Sequence, residues 1–445
     1  MINKNEIKLL EDGLDTLATG FADLPEFTPG FDSNAIAAVI TEVAERMQNN
    51  YPYFHPQYAG QMLKPPHPVA RIAYAMSLWV NPNNHALDGG RASSAMEKEC
   101  IVELGAMFDW QDPLGHLTGG GTMANLEALW VAGRLHPGKR IIGSEQAHYT
   151  HSRISEVLRI PYSAVPVRVD GRMDVDAVER QLRKGDVGTV VVTMGNTGLG
   201  AVDPLAEILA LRSKYDFRIH ADAAYGGYFR LAGTLSHDTH QDFVDMNAVD
   251  SIVIDPHKHG LQPYGCGCVM FKDAAVGKFY KHDSPYTYFS SGDLHLGEIT
   301  LECSRPGASA VALWATQRLL PLHEGGEFAA NLDSSLSAAR DLHAKLVASD
   351  HFVPLMAPQL DIVVYAVKAP TTTQSSERAR KLFENAFRHG LHLALMELPM
   401  SLAGHWLPDI EGDAETITCL RSVLMKPEHE QWTDRIIELL EDCVA

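Results

Sequence analysis

Between about residues 96 and 320 the chain alternates short apolar runs with amphipathic segments of helical period, and this limits its fold more than any other feature. Ile141 to Gly143, Thr189-Val-Val-Val-Thr193, Phe217 to Asp222, Ser251 to Asp255 and Cys268 to Phe271 read as buried strands. Asn125 to Leu135, Val175 to Arg183 and Pro204 to Tyr215 read as the helices between them. A strand apolar on both faces has to be covered on both, and crossover helices do this. The pattern therefore predicts an α/β fold with a mostly parallel central sheet. Ligands of such sheets bind at the carboxyl ends of the strands.

The flanking regions differ in texture. Residues 1–95 begin with helical patterning (Ile36, Val39, Ile40, Val43, Met47) and then become rich in proline, aromatics and amides, as in Tyr51 to Gln61 and Asn81 to His85. Loops of that character are seldom passive linkers. Residues 321–445 carry two long helical patterns, Glu327 to Ser349 and Ser376 to His389, and a closing helix, Trp432 to Cys443. Strand candidates at Asp361 to Val367 and Leu391 to Leu395 make this a small C-terminal α+β domain. A chain of 445 residues is too long for one simple core. The expected division is an N-terminal segment (1–95), a large domain (96–320) and a small domain (321–445).

Composition excludes more than it identifies. A net charge of -19 offers no basic face for nucleic acid or an anionic membrane. No run approaches the roughly 20 apolar residues of a membrane span, and Lys4, Glu6 and Lys8 interrupt the N-terminus. Of six cysteines only Cys266 and Cys268 are close, with no second pair to complete a metal site. Scattered thiols fit a reducing compartment, so a soluble cytoplasmic protein without a metal is expected.

Four pieces carry chemistry, each at an expected strand end or strand-to-helix turn. Asp255-Pro-His-Lys258-His-Gly260 follows a buried strand, and a lysine delivered there can present a partly desolvated, nucleophilic amine. Alone it is equally a surface-turn lysine. Asp222 ends another strand before Ala-Ala-Tyr-Gly-Gly, where small residues would let a flat ring approach a carboxylate that pairs with its nitrogen. Alone, this acid reads first as a helix N-cap. Gly119-Gly-Gly-Thr122 feeds a helix N-terminus and makes a phosphate cradle, matching neither the dinucleotide nor the P-loop fingerprint. His148 is placed to stack on a ring, and Thr193 to reach a ring oxygen. Together they describe a site for pyridoxal phosphate, whose protonated ring is an electron sink.

These motifs, Thr118-Gly-Gly-Gly-Thr-Met-Ala-Asn-Leu, Ala147-His148, Thr193-Met-Gly-Asn-Thr197, Asp222-Ala-Ala-Tyr and Asp255-Pro-His-Lys258, resemble those of the group II pyridoxal-phosphate-dependent amino acid decarboxylases. That family includes the tyrosine, aromatic amino acid and glutamate enzymes. The resemblance is good over about residues 50 to 320 and weak beyond. It implies the aspartate-aminotransferase type of fold (fold type I) and a homodimer with active sites at the interface. Lys258 would form the Schiff base, Asp222 would pair with the pyridine nitrogen, and His148 and Ala224 would pack on opposite ring faces. Gly121, Thr122 and His257 would line the phosphate side. Many family members carry Asn where this chain has Asp255, which changes the charge beside the phosphate.

The resemblance also implies a loop tyrosine that returns a proton to the substrate carbon, here Tyr286 or Tyr288, with His148 as the other candidate. Leu301 to Ala310 looks like the tyrosine-decarboxylase and phosphate-lyase branches. His55, Gln61 and His85 fall in stretches that shape the substrate pocket in the family. Decarboxylation of an amino acid is the expected reaction. Aldehyde lyase, aminotransferase and oxidative deaminase chemistry are the rivals on the same scaffold, and a non-catalytic cofactor-binding relative is a remote one. An aminotransferase would need an arginine for its substrate carboxylate, Arg305 or one in the small domain. Nothing in the sequence chooses among acidic, aromatic and basic substrates.

Overall fold

The computed structural model describes residues 3–27, 30, 32–87, 89–281 and 299–444. Its centre is a seven-stranded sheet: β1 (Leu114–Thr118), β2 (Arg140–Ser144), β3 (Tyr162–Val165), β4 (Val187–Thr193), β5 (Arg218–Asp222), β6 (Ser251–Ile254) and β7 (Gly267–Phe271). The spatial order is β1-β7-β6-β5-β4-β2-β3. The four pairings from β6 through to β3 are parallel, and β7 runs antiparallel to both β1 and β6. A parallel return needs a crossover, usually a helix, whereas residues 255–266 contain none and bring the chain straight back. That loop carries Lys258.

Register lines up the strand ends. Thr193 pairs with Asp222, and Asp222 with Val253, so the carboxyl ends of β4, β5 and β6 open side by side. Helix Gly121–Leu135 starts where β1 ends and lies across the sheet, its Ala124, Ala128 and Val131 packed against Ala224, Val253, Val269 and Phe271. The alanines let the helix come close enough to point its first turn at the ends of β5 and β6.

The small domain holds an antiparallel sheet of β8 (Phe352–Pro354), β9 (Ile362–Val367), β10 (Ala394–Pro399) and β11 (Thr416–Val423), in the order β10-β11-β9-β8. Strand periodicity splits β9 cleanly. Val363, Tyr365 and Val367 face helices Glu327–Ala348, Thr372–Arg388 and Thr433–Val444, while Ile362, Val364 and Ala366 join the main core. At the other end of the chain, helices Lys4–Thr19 and Ser33–Met47 bury no residue. Helix Arg91–Met107 crosses residue 95 and packs on Gly307–Leu319, which also takes Pro68–Ser77, around the large domain.

The strands expected in the large domain form within a few residues of their expected ends, and Pro204 to Tyr215 shortens to helix Leu205–Ala210 with a tight final turn. β1, β3, β8 and β11 were not anticipated. β11 reads Thr-Ile-Thr-Cys-Leu-Arg-Ser-Val, and its Thr418, Arg421 and Ser422 are buried polar residues that break the apolar pattern. The strand expected at Leu391 starts at Ala394, because His392 instead bridges to Tyr58. Among the described residues no helix is long and apolar enough to cross a membrane.

Candidate active site

The loop after β6 turns sharply. Lys258 N–H donates to Asp255 O at 2.9 Å, and Gln262 N–H to Pro256 O at 3.1 Å. Gly260 is required there, since a Cβ would stand 2.6 Å from Pro256 Cα and 2.5 Å from the Tyr228 hydroxyl. The turn presents the Lys258 amine 3.1 Å from Asp255 Oδ2. His257 donates from Nδ1 to Cys266 O (2.8 Å), and its Nε2 lies 3.5 Å from the same Asp255 oxygen.

Asp222, at the end of β5, is 5% exposed. Burial opposes its charge, yet the carboxyl is held well below the usual range by the His151 hydrogen bond and by the positive charges of His151 and Lys258. The His151 Nε2 to Asp222 Oδ2 distance is 2.7 Å, and the Ala224 N–H donates to Oδ1 at 3.2 Å. Behind Asp222 the fully buried His220 bonds Asn125 and Ser251 (2.8 and 2.9 Å), and burial pushes it down to about 3. His148, in the turn before helix Thr150–Leu158, bonds Thr150 Oγ1 at 2.7 Å. Burial lowers its pKa, with the Asp222 charge opposing, so a neutral ring faces the cavity.

Gly119 to Thr122 form the opposite wall. Gly120 sits at φ 149°, a conformation that side chains disfavour. No side chain caps helix Gly121–Leu135, which leaves its first N–H groups without a side-chain acceptor. A Cβ on Gly121 would lie 2.7 Å from Asp255 Oδ2, so glycine keeps that corner open.

Gly121, Thr122, His148, Thr193, Asp222, Ala224, His257 and Lys258 all line one cavity of about 540 Å³. His55, Gln61, His85 and Arg305 do not line it within one chain. The His55 ring packs edge-on to Trp432 at 4.9 Å, Gln61 lines a separate aromatic cavity, and the His85 ring stands under Gly89. Arg305 is committed elsewhere: its buried guanidinium pairs with Glu97 (2.6 Å) and donates to Leu117 O (2.6 Å) and Asn84 O (3.1 Å). Tyr286 and Tyr288 lie outside the described residues. The sequence reading missed His151, whose signal was its place three residues after His148, one helical turn into the same wall. It also missed Arg421 on β11, a buried guanidinium whose Nε and Nη2 have no partner among the described residues.

This geometry fits pyridoxal phosphate. The cradle has open helix N–H groups for a phosphate, an ionised acid for a ring N–H, and an amine for an aldehyde. The buried Thr193 hydroxyl has no partner among the described residues and can meet a ring substituent. Fold and cavity together define a pyridoxal-phosphate enzyme of fold type I.

Comparison with known proteins narrows the class. The pyridoxal-dependent decarboxylase conserved domain matches residues 72–368. A probable L-tyrosine/L-aspartate decarboxylase of Methanothermobacter thermautotrophicus is 30% identical over 328 residues, 73% of this chain and 86% of that one. The L-tyrosine decarboxylase of Enterococcus faecium is 26% identical over 462 residues, 78% of this chain and 75% of that one. Among solved structures, Oryza sativa TDC with PLP and tryptamine superposes with a TM-score of 0.79 at 16% identity, covering 100% of this chain and 99% of that one. Mouse CSAD gives 0.79 at 20%, covering 96% and 92%. These two likenesses speak for the fold alone. The chain belongs to the pyridoxal-dependent decarboxylase family, enzymes that use pyridoxal phosphate to remove carbon dioxide from an amino acid.

Proposed function

We propose that the cavity around Lys258 decarboxylates an L-amino acid of the tyrosine or aspartate type, the substrates named for its relatives in Enterococcus and Methanothermobacter. The observation that carries the site assignment is the buried Asp222, kept ionised by His151, opening into the same cavity as the Lys258 amine. When bound, pyridoxal phosphate supplies an aldehyde for amines and a ring that takes up the electron pair left as carbon dioxide departs. Lys258 would hold the cofactor through its amine and take it back as the product leaves. Asp222, charged although buried, would hold a proton on the ring nitrogen. His148 and Ala224 would line the ring faces, and Thr193 would donate to the ring oxygen. Gly121, Thr122 and His257 would hold the phosphate. The proton returned to Cα comes from Tyr286 or Tyr288, or from His148.

The same reading makes the enzyme a cytoplasmic homodimer. Six cysteines without disulfides among the described residues support a reducing compartment. Helix Ser33–Met47 supports the dimer: its Ile36, Val39, Ile40, Val43 and Met47 form an apolar stripe at helical spacing, each about half exposed. In a dimer the loops carrying His55, Gln61 and His85 would be available to the neighbouring site.

The test is an absorbance spectrum of the protein with pyridoxal phosphate, wild type against Lys258→Ala, followed by L-tyrosine, L-aspartate and a wider panel with carbon dioxide detection. A lysine-dependent visible band and released carbon dioxide are expected. A band without carbon dioxide would move the assignment to a lyase, aminotransferase or oxidative deaminase; no band would end it.

A further inference from the structure

A second cavity of about 300 Å³ lies between the proline-rich segment after residue 63, the loop following Lys258 and the small domain. Lys64, His67, His259, Phe328, Lys426 and Glu428 are among the residues that line it, and it shares none with the cavity around Lys258. Pro65, Pro66 and Pro68 fix the backbone beside Lys64 and His67. At ~30 Å³ per water the space holds roughly ten waters, enough for a small organic acid or phosphate ester.

Two lysine amines meet here, with the exposed Glu428 carboxylate at the rim. Lys426 is 3% exposed, donates to Tyr58 O at 2.6 Å and stands 5.2 Å over the Tyr58 ring. Lys64 donates to Met425 O at 3.1 Å. An ammonium has three N–H donors, so one carbonyl leaves each lysine under-satisfied. Neither forms an ion pair with a carboxylate among the described residues. Burial pushes Lys64 down to about 8, with the Asp361 and Glu428 charges opposing, and Lys426 to about 7, where the Lys64 charge adds to the fall and Glu428 opposes it. The nearby acids are otherwise placed: Asp361 accepts from the Tyr225 hydroxyl at 2.5 Å and faces His259 at 3.2 Å, and Glu428 is exposed. The Nδ1 of the fully buried His259 also has no hydrogen-bond partner among the described residues. Buried charges are normally paired, and two amines with spare N–H donors in one cavity are what an anion completes.

We propose that this cavity binds a small oxyanion, carboxylate or phosphate, held between Lys64 and Lys426. The site sits behind the loop that presents Lys258, and one bridge, Tyr225–Asp361–His259, joins the two cavities.

The experiment is calorimetric titration of the cofactor-loaded enzyme, in Tris chloride, with inorganic phosphate and separately with malonate. Cofactor loading keeps both probes out of the first phosphate cradle. Saturable binding of either is expected, weakened at least tenfold in Lys426→Met and in Lys64→Met. Phosphate alone would name a phosphate group, malonate alone a carboxylate, and both a general oxyanion site. Glu428→Gln removes an exposed negative charge from the rim and should tighten binding a few-fold. Absence of saturable binding in both wild type and Glu428→Gln would overturn the proposal, as would equal affinity in the lysine variants. Should those variants fail to fold, an unchanged affinity in Glu428→Gln overturns it by itself.

Discussion

Asp222 keeps its charge in a place where burial alone would remove it, and His151 is the reason. A hydrogen bond to a charged group contributes about 1.5–3 kcal/mol, so breaking the 2.7 Å contact should be felt in cofactor binding. His151→Leu is expected to weaken pyridoxal phosphate about tenfold to a hundredfold by fluorescence titration. It should also lower turnover with the protein still folded. Unchanged affinity would mean that Lys258 alone keeps the acid ionised. Gly121 makes a second residue-level case. Gly121→Ala would place a methyl 2.7 Å from Asp255 Oδ2. Cofactor affinity should drop sharply in an equilibrium titration while the melting temperature changes little.

Arg305 shows how an element is tied together. Its guanidinium joins the Asn84 turn, helix Arg91–Met107 through Glu97, and the end of β1 through Leu117. Removing one partner of a buried pair costs about 3–5 kcal/mol, because the remaining charge is left unpaired. Arg305→Met should therefore lower the urea midpoint markedly. A variant of unchanged stability with a raised KM would return this arginine to the substrate role that its sequence context suggested. That suggestion was reasonable from residue type, but no local pattern reveals that Glu97, far away in the chain, reaches the same point. The loop after β6 is the opposite case. Asp-Pro-His-Lys-His-Gly announces a turn after a buried strand, and the local hydrogen bonds of residues 255–262 are enough to form it.

For the whole molecule, acid stability follows from histidines kept neutral inside. Burial pushes both His220 and His429 down to about 3. Once unfolded, each takes up a proton near pH 6.5, so the unfolded state binds more protons between about pH 6.5 and 3. Stability then falls with pH through that window, by about 1.4 kcal/mol per unit for each histidine. Chemical denaturation at pH 7, 6 and 5 should show the decline, and His429→Gln should make it shallower. Assembly gives the other prediction at this scale. Val43→Asp, on the exposed stripe of helix Ser33–Met47, should shift the protein toward monomer in light scattering. An unchanged dimer would place the interface elsewhere.

What depends on neighbours along the chain was legible in the residues alone: the strand–helix alternation, the glycine turn before helix Gly121–Leu135, and the places of Asp222 and Lys258 at strand ends. Strand ends carry those residues, and a parallel sheet opens its strand ends together, so their convergence was legible as well. Contacts between partners distant in sequence came from the packed fold. It brought His151 onto Asp222, withdrew Arg305 into a buried ion pair, inserted the polar β11 into the small sheet, and set Lys64 beside Lys426. Each is a contact between groups whose meeting is fixed by packing, not by period or turn chemistry.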